Sequence, residues 1–188
     1  MKSHILRDHG HVVFDVETTG LHPRRGDRII EIGAVVMRAG VIHDEFHSLV
    51  NVRRKISKGA QQVHGITDEM LVGEPAPDLV YPRFQAFIKD SILVAHNARF
   101  DMTFLRSEFH RLGLSLAARY MCTLEMSRKC FPHLADHSLT SVYRFLFGTV
   151  PQGIQMHRAL NDARMTAEIW LKMTGVCSER QIAIRSNG

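Results

Sequence analysis

Four acidic residues occupy positions where the surrounding pattern favours apolar side chains. In the predicted strand His11–Glu17, side chains alternate between two faces, so Asp15 and Glu17 lie on the same face. Their carboxylates are about 6–7 Å apart along such a strand. The strand is apolar on both faces before these two residues, as a covered central strand is. Neighbouring carboxylates in that setting repel one another unless a cation lies between them.

Two further acids head apolar stripes of predicted helices. Asp101 lies at helical spacing ahead of the apolar residues of Ala98–Leu112, and Asp162 does the same in Ala159–Met173. For either aspartate alone, capping or an effect on the helix dipole is a sufficient explanation. For Asp15 and Glu17 alone, a strand end that emerges into solvent is as good an explanation. The four acids together favour a site for Mg²⁺ or Mn²⁺, which prefer carboxylate oxygens.

Hydrophobic periodicity predicts the elements that position these acids. The predicted strands are His11–Glu17, Arg28–Arg38, Val41–Val52, Ser91–Ala95 and Tyr120–Thr123. The predicted helices are Ser57–His64, Asp78–Lys89, Ala98–Leu112, Leu124–Phe131, Ser138–Phe147 and Ala159–Met173. Short turns join the first three strands, which predicts an antiparallel meander. The predicted fold is α/β, with a mixed five-stranded sheet and helices on both sides.

Length and composition are typical of one soluble domain. The chain has 188 residues and a net charge of +5, which predicts a single domain, 1–188, with its core at about 11–175. A basic balance suits a phosphate backbone but is a weak indication by itself. Three cysteines without a CxxC pair indicate reduced thiols. With no apolar signal or membrane segment, we expect a cytoplasmic protein that does not bind membranes.

Three segments that contain these acids also carry a family pattern. They are Phe14–Gly20 (FDVETTG), His96–Asp101 (HNARFD) and His157–Ala163 (HRALNDA). In this order they resemble the three motifs of the DEDDh 3′→5′ exonucleases. Arg28–Val35 and Val63–Thr67 are similar to further segments of the group. The likeness is strongest to the proofreading (epsilon) subunit of bacterial DNA polymerase III and its stand-alone relatives.

The resemblance implies a ribonuclease-H-like exonuclease fold and a set of site residues. Asp15, Glu17, Asp101 and Asp162 would bind two divalent ions, Mg²⁺ or Mn²⁺, and His157 would be the general base. Two ions stabilise the charge that develops at a phosphodiester, and histidine is the side chain best suited to accept a proton near neutral pH.

Further contacts to the substrate are implied at five positions. Thr18 and Thr19 resemble residues that hold the terminal nucleotide, and a simple turn at the strand end is the alternative. His64 and Ile66 resemble a segment that packs against the last two bases, and a contact within the core is the alternative. Asn97 is expected to cap the following helix and to be able to contact substrate as well.

Three further groups of histidine or basic residues lie outside the motifs that contain the acids. His43 and His47 are too far apart on a strand to share one zinc ion without a bend. The segment Arg53–Lys55, with Lys58, is interpreted as a solvated loop, and guidance of phosphates toward the site is the alternative. The same alternative applies to Arg24, Arg25 and Arg28.

The predicted function is hydrolysis of single-stranded DNA from its 3′ end, in proofreading or repair. One alternative is an exoribonuclease of the same family, because no residue here decides between the two sugars. The other is a binding module that has lost catalysis, which the presence of all four acids and the histidine disfavours. The chain ends soon after its last predicted helix, and Ser178–Gly188 shows no clamp-binding motif. We therefore expect a stand-alone enzyme, and the alternative is a DNA polymerase partner that binds the surface of the domain. The oligomeric state is left open.

Overall fold

A mixed five-stranded sheet is the centre of the computed structural model, which describes residues 10–151, 153 and 155–179. Its strands are β1 (His11–Thr18), β2 (Ile29–Arg38), β3 (Val41–Leu49), β4 (Ile92–Ala95) and β5 (Tyr120–Cys122). The order across the sheet is β3-β2-β1-β4-β5. The pairs β1–β2 and β2–β3 are antiparallel, and β1–β4 and β4–β5 are parallel. The predicted meander and mixed sheet are therefore confirmed.

Six α-helices cover the two faces of this sheet within the described residues. They are α1 (Lys58–His64), α2 (Pro77–Ile88), α3 (Ala98–Arg111), α4 (Thr123–Cys130), α5 (Leu139–Phe147) and α6 (Ala159–Glu179). Each corresponds to a predicted helix, with ends shifted by a few residues. Two 3-10 turns, Pro23–Arg25 and Glu69–Leu71, lie in segments where no helix was predicted, because so short a turn has no measurable periodicity.

Alternation along β1 divides the core into two layers. Val12, Phe14 and Val16 pack in the layer that contains residues of α2 and α3. Val13 packs in the other layer, with residues of α4, α5 and α6. Asp15 and Glu17 follow Val13 at strand spacing and therefore point to the side covered by α6.

Gly33 allows the start of α6 to lie directly on the sheet. It is the register partner of Asp15 on β2. A Cβ atom at this position would be 2.1 Å from the Leu160 nitrogen and 2.3 Å from the Ala159 carbonyl carbon. Both are backbone atoms and cannot rotate away, so a larger residue at position 33 would displace the first turn of α6, which contains Asp162.

The start of α3 fills a gap beside β1. β4 pairs with β1 only as far as Val13, and α3 begins three residues after β4 ends. The Val16 N–H therefore faces α3 and donates a hydrogen bond to Asp101. Further along α3, Glu108 is buried and accepts two hydrogen bonds from Arg28, at 2.6 Å and 2.7 Å. This bidentate ion pair joins α3 to the residue just before β2.

The cysteines depart from the prediction of three reduced thiols. Cys122 has a free thiol, but Cys130, buried at the end of α4, is disulfide-bonded. Cysteine spacing did not reveal this bond because folding, rather than sequence distance, brings such pairs together. The thiol pattern therefore no longer supports a reducing compartment. No helix in the described part of the chain is long and apolar enough to cross a membrane.

Candidate active site

The four acids predicted to act together converge at the C-terminal end of β1. Glu17, Asp101 and Asp162 are buried, with 9%, 2% and 5% of their surface exposed, and Asp15 keeps more contact with solvent. Asp15 and Glu17 come from β1, Asp101 from the first turn of α3 and Asp162 from the first turn of α6. Three separate elements thus bring their acids to one end of the sheet.

Their proximity is evident from their effects on one another's ionisation. Burial, followed by the charges of Asp101, Glu17 and Asp162, holds the pKa of Asp15 well above its usual range. Burial and neighbouring acids, Asp162 first among them, raise the pKa of Glu17 to about 8. Burial raises the pKa of Asp101 to about 8 and that of Asp162 to about 6. The cluster is therefore unfavourable as a set of anions without a cation.

His157 completes this cluster. Ligand atoms of Glu17, His157 and Asp162 all lie within 4.8 Å of one another. The His157 backbone N–H donates to Asp162 Oδ2 at 3.2 Å, whereas the buried Asp162 Oδ1 has no hydrogen-bond partner. His157 is exposed and has a positive φ of 57°. An exposed imidazole beside a buried carboxylate oxygen that lacks a partner suits a site that binds a cation and a water molecule.

Glu31 is a residue whose role the sequence did not reveal. It lies directly opposite Glu17 on β2 and is fully buried. It accepts hydrogen bonds from Arg158 at 2.8 Å and 3.0 Å and from the Ala159 N–H at 3.1 Å, and it bonds His47 at 2.7 Å. Burial opposes its ionisation, but the hydrogen bonds outweigh burial and lower its pKa to about 2. Glu31 therefore fixes the two residues that directly follow His157.

Replacing Glu31 is expected to disturb His157 without removing a carboxylate of the cluster. In Glu31→Gln the neutral amide cannot pair with both donor groups of Arg158, so the backbone that carries the strained His157 loses its anchor. We expect kcat of the predicted nuclease reaction to fall by about 10–100-fold, as for the loss of a residue that orients a catalytic group. Steady-state kinetics with Mg²⁺, together with the thermal shift on adding Mg²⁺, measures this.

Glu45→Gln is the matched control for that variant. Glu45 also pairs with an arginine of α6, Arg164, but on the exposed surface. Its loss should leave kcat within about twofold, since exposed pairs contribute little. If both variants behave alike, or if Glu31→Gln also abolishes the Mg²⁺-induced thermal shift, Glu31 does not act by positioning His157.

The site also predicts how stability depends on pH in the absence of metal. The pKa values of Glu17 and Asp101 rise from 4.5 and 3.8 to about 8. At pH values between the ordinary and the raised pKa, these two carboxyl groups are ionised in the unfolded chain but still protonated in the folded state. Rising pH therefore lowers the free energy of unfolding. The Glu31 contribution has the opposite sign and is lost only as pH falls below 4.5 toward 2.

The melting temperature in EDTA should therefore fall as pH rises from 4.5 to 8. Added Mg²⁺ should raise it by an amount that increases with pH, because the ion competes with protons for the same oxygens. Thermal unfolding followed at several pH values, with EDTA or Mg²⁺, measures both effects. A metal-free melting temperature that is constant or rises across this range would contradict the unfavourable ionisation described above.

The predicted substrate-binding residues near β1 have contacts within the protein. The Thr18 hydroxyl donates to the Gly20 carbonyl at 2.6 Å, and the Thr19 hydroxyl accepts from the Arg28 backbone N–H at 3.1 Å. His64 Nδ1 accepts from the Ile66 N–H at 3.0 Å, which leaves Nε2 to donate to the Thr18 carbonyl at 3.2 Å. His64 and Ile66 are both buried. These contacts correspond to the alternative interpretations, a turn and a core contact, and a role in binding substrate stays a prediction.

Asn97 and Arg28 differ from what the sequence suggested. Asn97 occupies the N-cap position of α3, but its side chain makes no capping hydrogen bond, which corrects the expected cap. Its positive φ of 68° suits an asparagine, and its side chain is exposed beside Asp101's helix. Arg28 is half-buried and paired with Glu108, so it belongs to the scaffold and does not guide phosphates.

Comparisons with known proteins identify the family of this chain. The exonuclease (RNase T-type) family matches residues 12–170. Over 162 residues the chain is 44% identical to the PolC-type DNA polymerase III of Thermotoga maritima, covering 86% of this chain and 12% of that protein. The chain thus spans about an eighth of the length of this relative. It belongs to the exonuclease family, and the resemblance found in the motifs is confirmed.

Solved structures with a similar fold are found as well. Exonuclease X, in complex with 5′-overhanging duplex DNA, has a TM-score of 0.72 and 28% identity, covering 93% of this chain and 95% of that one. The nuclease domain of 3′hExo, a DEDDh family member bound to rAMP, has a TM-score of 0.75 with 18% identity, covering 95% of this chain and 96% of that one. The latter likeness shows the fold alone, and it confirms the predicted ribonuclease-H-like architecture.

Proposed function

We propose that this chain hydrolyses single-stranded DNA one nucleotide at a time from the 3′ end. The observation that carries the proposal is the convergence of Asp15, Glu17, Asp101 and Asp162 beside His157, around a buried Asp162 oxygen that lacks a hydrogen-bond partner. Buried carboxylates that raise one another's pKa are typical of sites that bind divalent ions.

The four carboxylates fit a pair of Mg²⁺ or Mn²⁺ ions. Their donor atoms are oxygens, which these hard cations prefer, and Asp162 Oδ1 is available to bind one. Divalent ions held there would neutralise charge on the reacting phosphate and stabilise the departing 3′-oxygen. Exposure of His157 beside the carboxylates leaves it accessible to substrate and water.

His157 acts as the general base in this proposal. Its imidazole takes a proton from the attacking water as the new P–O bond forms. The bond from phosphorus to the 3′-oxygen breaks, and the 3′-oxygen takes a proton from solvent. The products are a 5′-mononucleotide and a strand shortened by one residue with a new 3′-hydroxyl. The backbone of His157 is held by a hydrogen bond from its own N–H to Asp162 and by the pairing of the next residue, Arg158, with Glu31. These contacts keep the imidazole next to the carboxylates.

DNA is proposed as the polymer because of the family relatives. The relative at 44% identity is named a DNA polymerase III, and Exonuclease X is described with duplex DNA. We infer that residues 1–188 act as a single exonuclease domain in the cytoplasm, either by themselves or with a DNA polymerase as partner. The proofreading and repair roles both require this reaction.

Degradation of labelled oligonucleotides tests the proposal. Single-stranded DNA and RNA of the same sequence, labelled at the 5′ end, are incubated with Mg²⁺, Mn²⁺ or EDTA. We expect a metal-dependent ladder that shortens from the 3′ end, formed faster on DNA. A faster reaction on RNA would instead identify an exoribonuclease, and products from the 5′ end or internal cuts would refute the proposed polarity. No cleavage of either polymer with both metals would refute hydrolysis.

A further inference from the structure

Two basic loops meet beside the end of β1. The first connects β1 to β2, and the second connects β3 to α1. The Ser57 N–H donates to the Thr19 carbonyl at 2.9 Å, and Arg54 reaches the Arg25 carbonyl at 3.5 Å. Six exposed cations lie on these loops and on the first residue of α1, and we call this set the cationic rim: Arg24, Arg25, Arg53, Arg54, Lys55 and Lys58.

Most cations of the cationic rim have no ion-pair partner in the part of the chain that the structure describes. Arg54 pairs with Asp27 at 3.4 Å, and the other five cations make no ion pair with any residue that the structure describes. By contrast, Arg28, Arg158 and Arg164 each pair with a glutamate. Arg53 also has a positive φ of 50°, which is unfavourable for a long side chain. The like charges of the cationic rim thus repel one another, and five of the six have no acidic partner among the described residues. This arrangement favours the binding of an external anion.

The position of the cationic rim relates it to the carboxylate cluster. Thr19, which joins the two loops, directly follows the last residue of β1 and is two residues after Glu17. A cluster of four carboxylates repels a phosphate chain, and this repulsion extends over about 10 Å at moderate salt. Cations on the two loops that meet next to the end of β1 offset this repulsion and attract the polymer toward the site.

We infer that the cationic rim binds backbone phosphates of the strand whose 3′ end is hydrolysed, upstream of the terminal nucleotides. The inference rests on the proposed function, since it identifies the surface that retains the polymer between cleavage steps. Lysine and arginine contacts to phosphate are independent of sequence and release bound counterions, so they make binding sensitive to salt. Substrates too short to reach the cationic rim should gain nothing from it.

The double variant Arg24→Gln/Lys55→Gln tests this surface. It removes one cation from each loop, and neither side chain makes a hydrogen bond within the described structure. The substrate is single-stranded DNA of about 20 nucleotides, which is longer than the roughly 4–16 nucleotides that a single-strand-binding surface covers. On this substrate kcat/KM should fall by about 25-fold, which is about fivefold per lost contact near 0.1 M salt. The slope of log(kcat/KM) against log[salt] should become shallower by about 1.4. Hydrolysis of the nitrophenyl ester of thymidine 5′-monophosphate should be unchanged.

Lys89→Gln/Arg119→Gln is the matched control. It removes the same charge, but Lys89 precedes β4 and Arg119 precedes β5, at the opposite end of the sheet from the carboxylates. Equal losses in the two double variants would show an effect of total charge and overturn the inference, as would an unchanged rim variant. A loss confined to duplex substrates would assign the cationic rim to the complementary strand and overturn it too.

Direct binding separates this inference from the proposed reaction. If the unaltered protein cleaves neither the ester nor the oligonucleotide, the proposed function fails. Fluorescence anisotropy of the labelled single strand, measured in EDTA, then still tests the cationic rim. Weaker binding by the rim variant than by the control variant, with a shallower salt slope, supports the inference, and equal binding refutes it.

Discussion

Asp15→Asn should abolish hydrolysis and at the same time raise the melting temperature of the metal-free protein. Asp15 is the acid whose pKa is raised by burial and by all three other members of the cluster. Removal of its charge therefore relieves repulsion within the folded state. The same substitution removes an anionic oxygen from the proposed ion site, and we expect kcat to fall by at least about 10³-fold, as for a principal electrostatic contribution to the transition state. Loss of activity with gain of stability is an unusual combination, because most substitutions of buried residues destabilise.

Asp90→Asn provides the control for that prediction. Asp90 is exposed in the turn before β4, so its loss removes one negative charge without touching the cluster. Activity and the Mg²⁺-induced thermal shift should both persist in this variant and disappear in Asp15→Asn. A metal-free Asp15→Asn protein that melts below the unaltered chain would show that the carboxylates do not destabilise one another. Retained hydrolysis would show that Asp15 is dispensable for the reaction.

The sheet and its helices were predictable because their signals are local. Alternation in β1 and helical spacing in α3 and α6 appear within short windows of sequence. Acids that interrupt those patterns, such as Asp101, marked the end of the sheet where the elements converge. The confirmed antiparallel meander of the first three strands follows from their short connections.

Long-range contacts could not be predicted in this way. Glu31 is one more residue of an apolar strand until the fold brings Arg158, which is 127 positions away, against it. Gly33 is ambiguous for the same reason, since only the position of α6 shows why no Cβ is tolerated. The disulfide of Cys130 and the ion pair of Arg28 with Glu108 likewise depend on tertiary packing. Spacing along the chain carries no signal for any of these contacts.

His157→Ala should lower kcat by about 10²–10⁴-fold, the usual contribution of a general base. The deficit should shrink as pH rises, because hydroxide increases about tenfold per pH unit and needs no base to deprotonate it. Added imidazole should restore part of the rate by entering the space that the side chain leaves. Single-turnover kinetics on the labelled DNA, measured from neutral to alkaline pH, gives these quantities.

The geometry leaves His157 two chemical roles, and metal binding separates them. Its ring lies within 4.8 Å of ligand atoms of both Glu17 and Asp162, so it is close enough either to bind an ion or to accept a proton from water. If His157 is the base, the Mg²⁺-induced thermal shift persists in His157→Ala, because Mg²⁺ prefers the carboxylate oxygens. His110→Ala, which removes an exposed histidine from the far end of α3, should change neither rate nor shift. Loss of the thermal shift in His157→Ala alone would make His157 a ligand, and water would then need another proton acceptor.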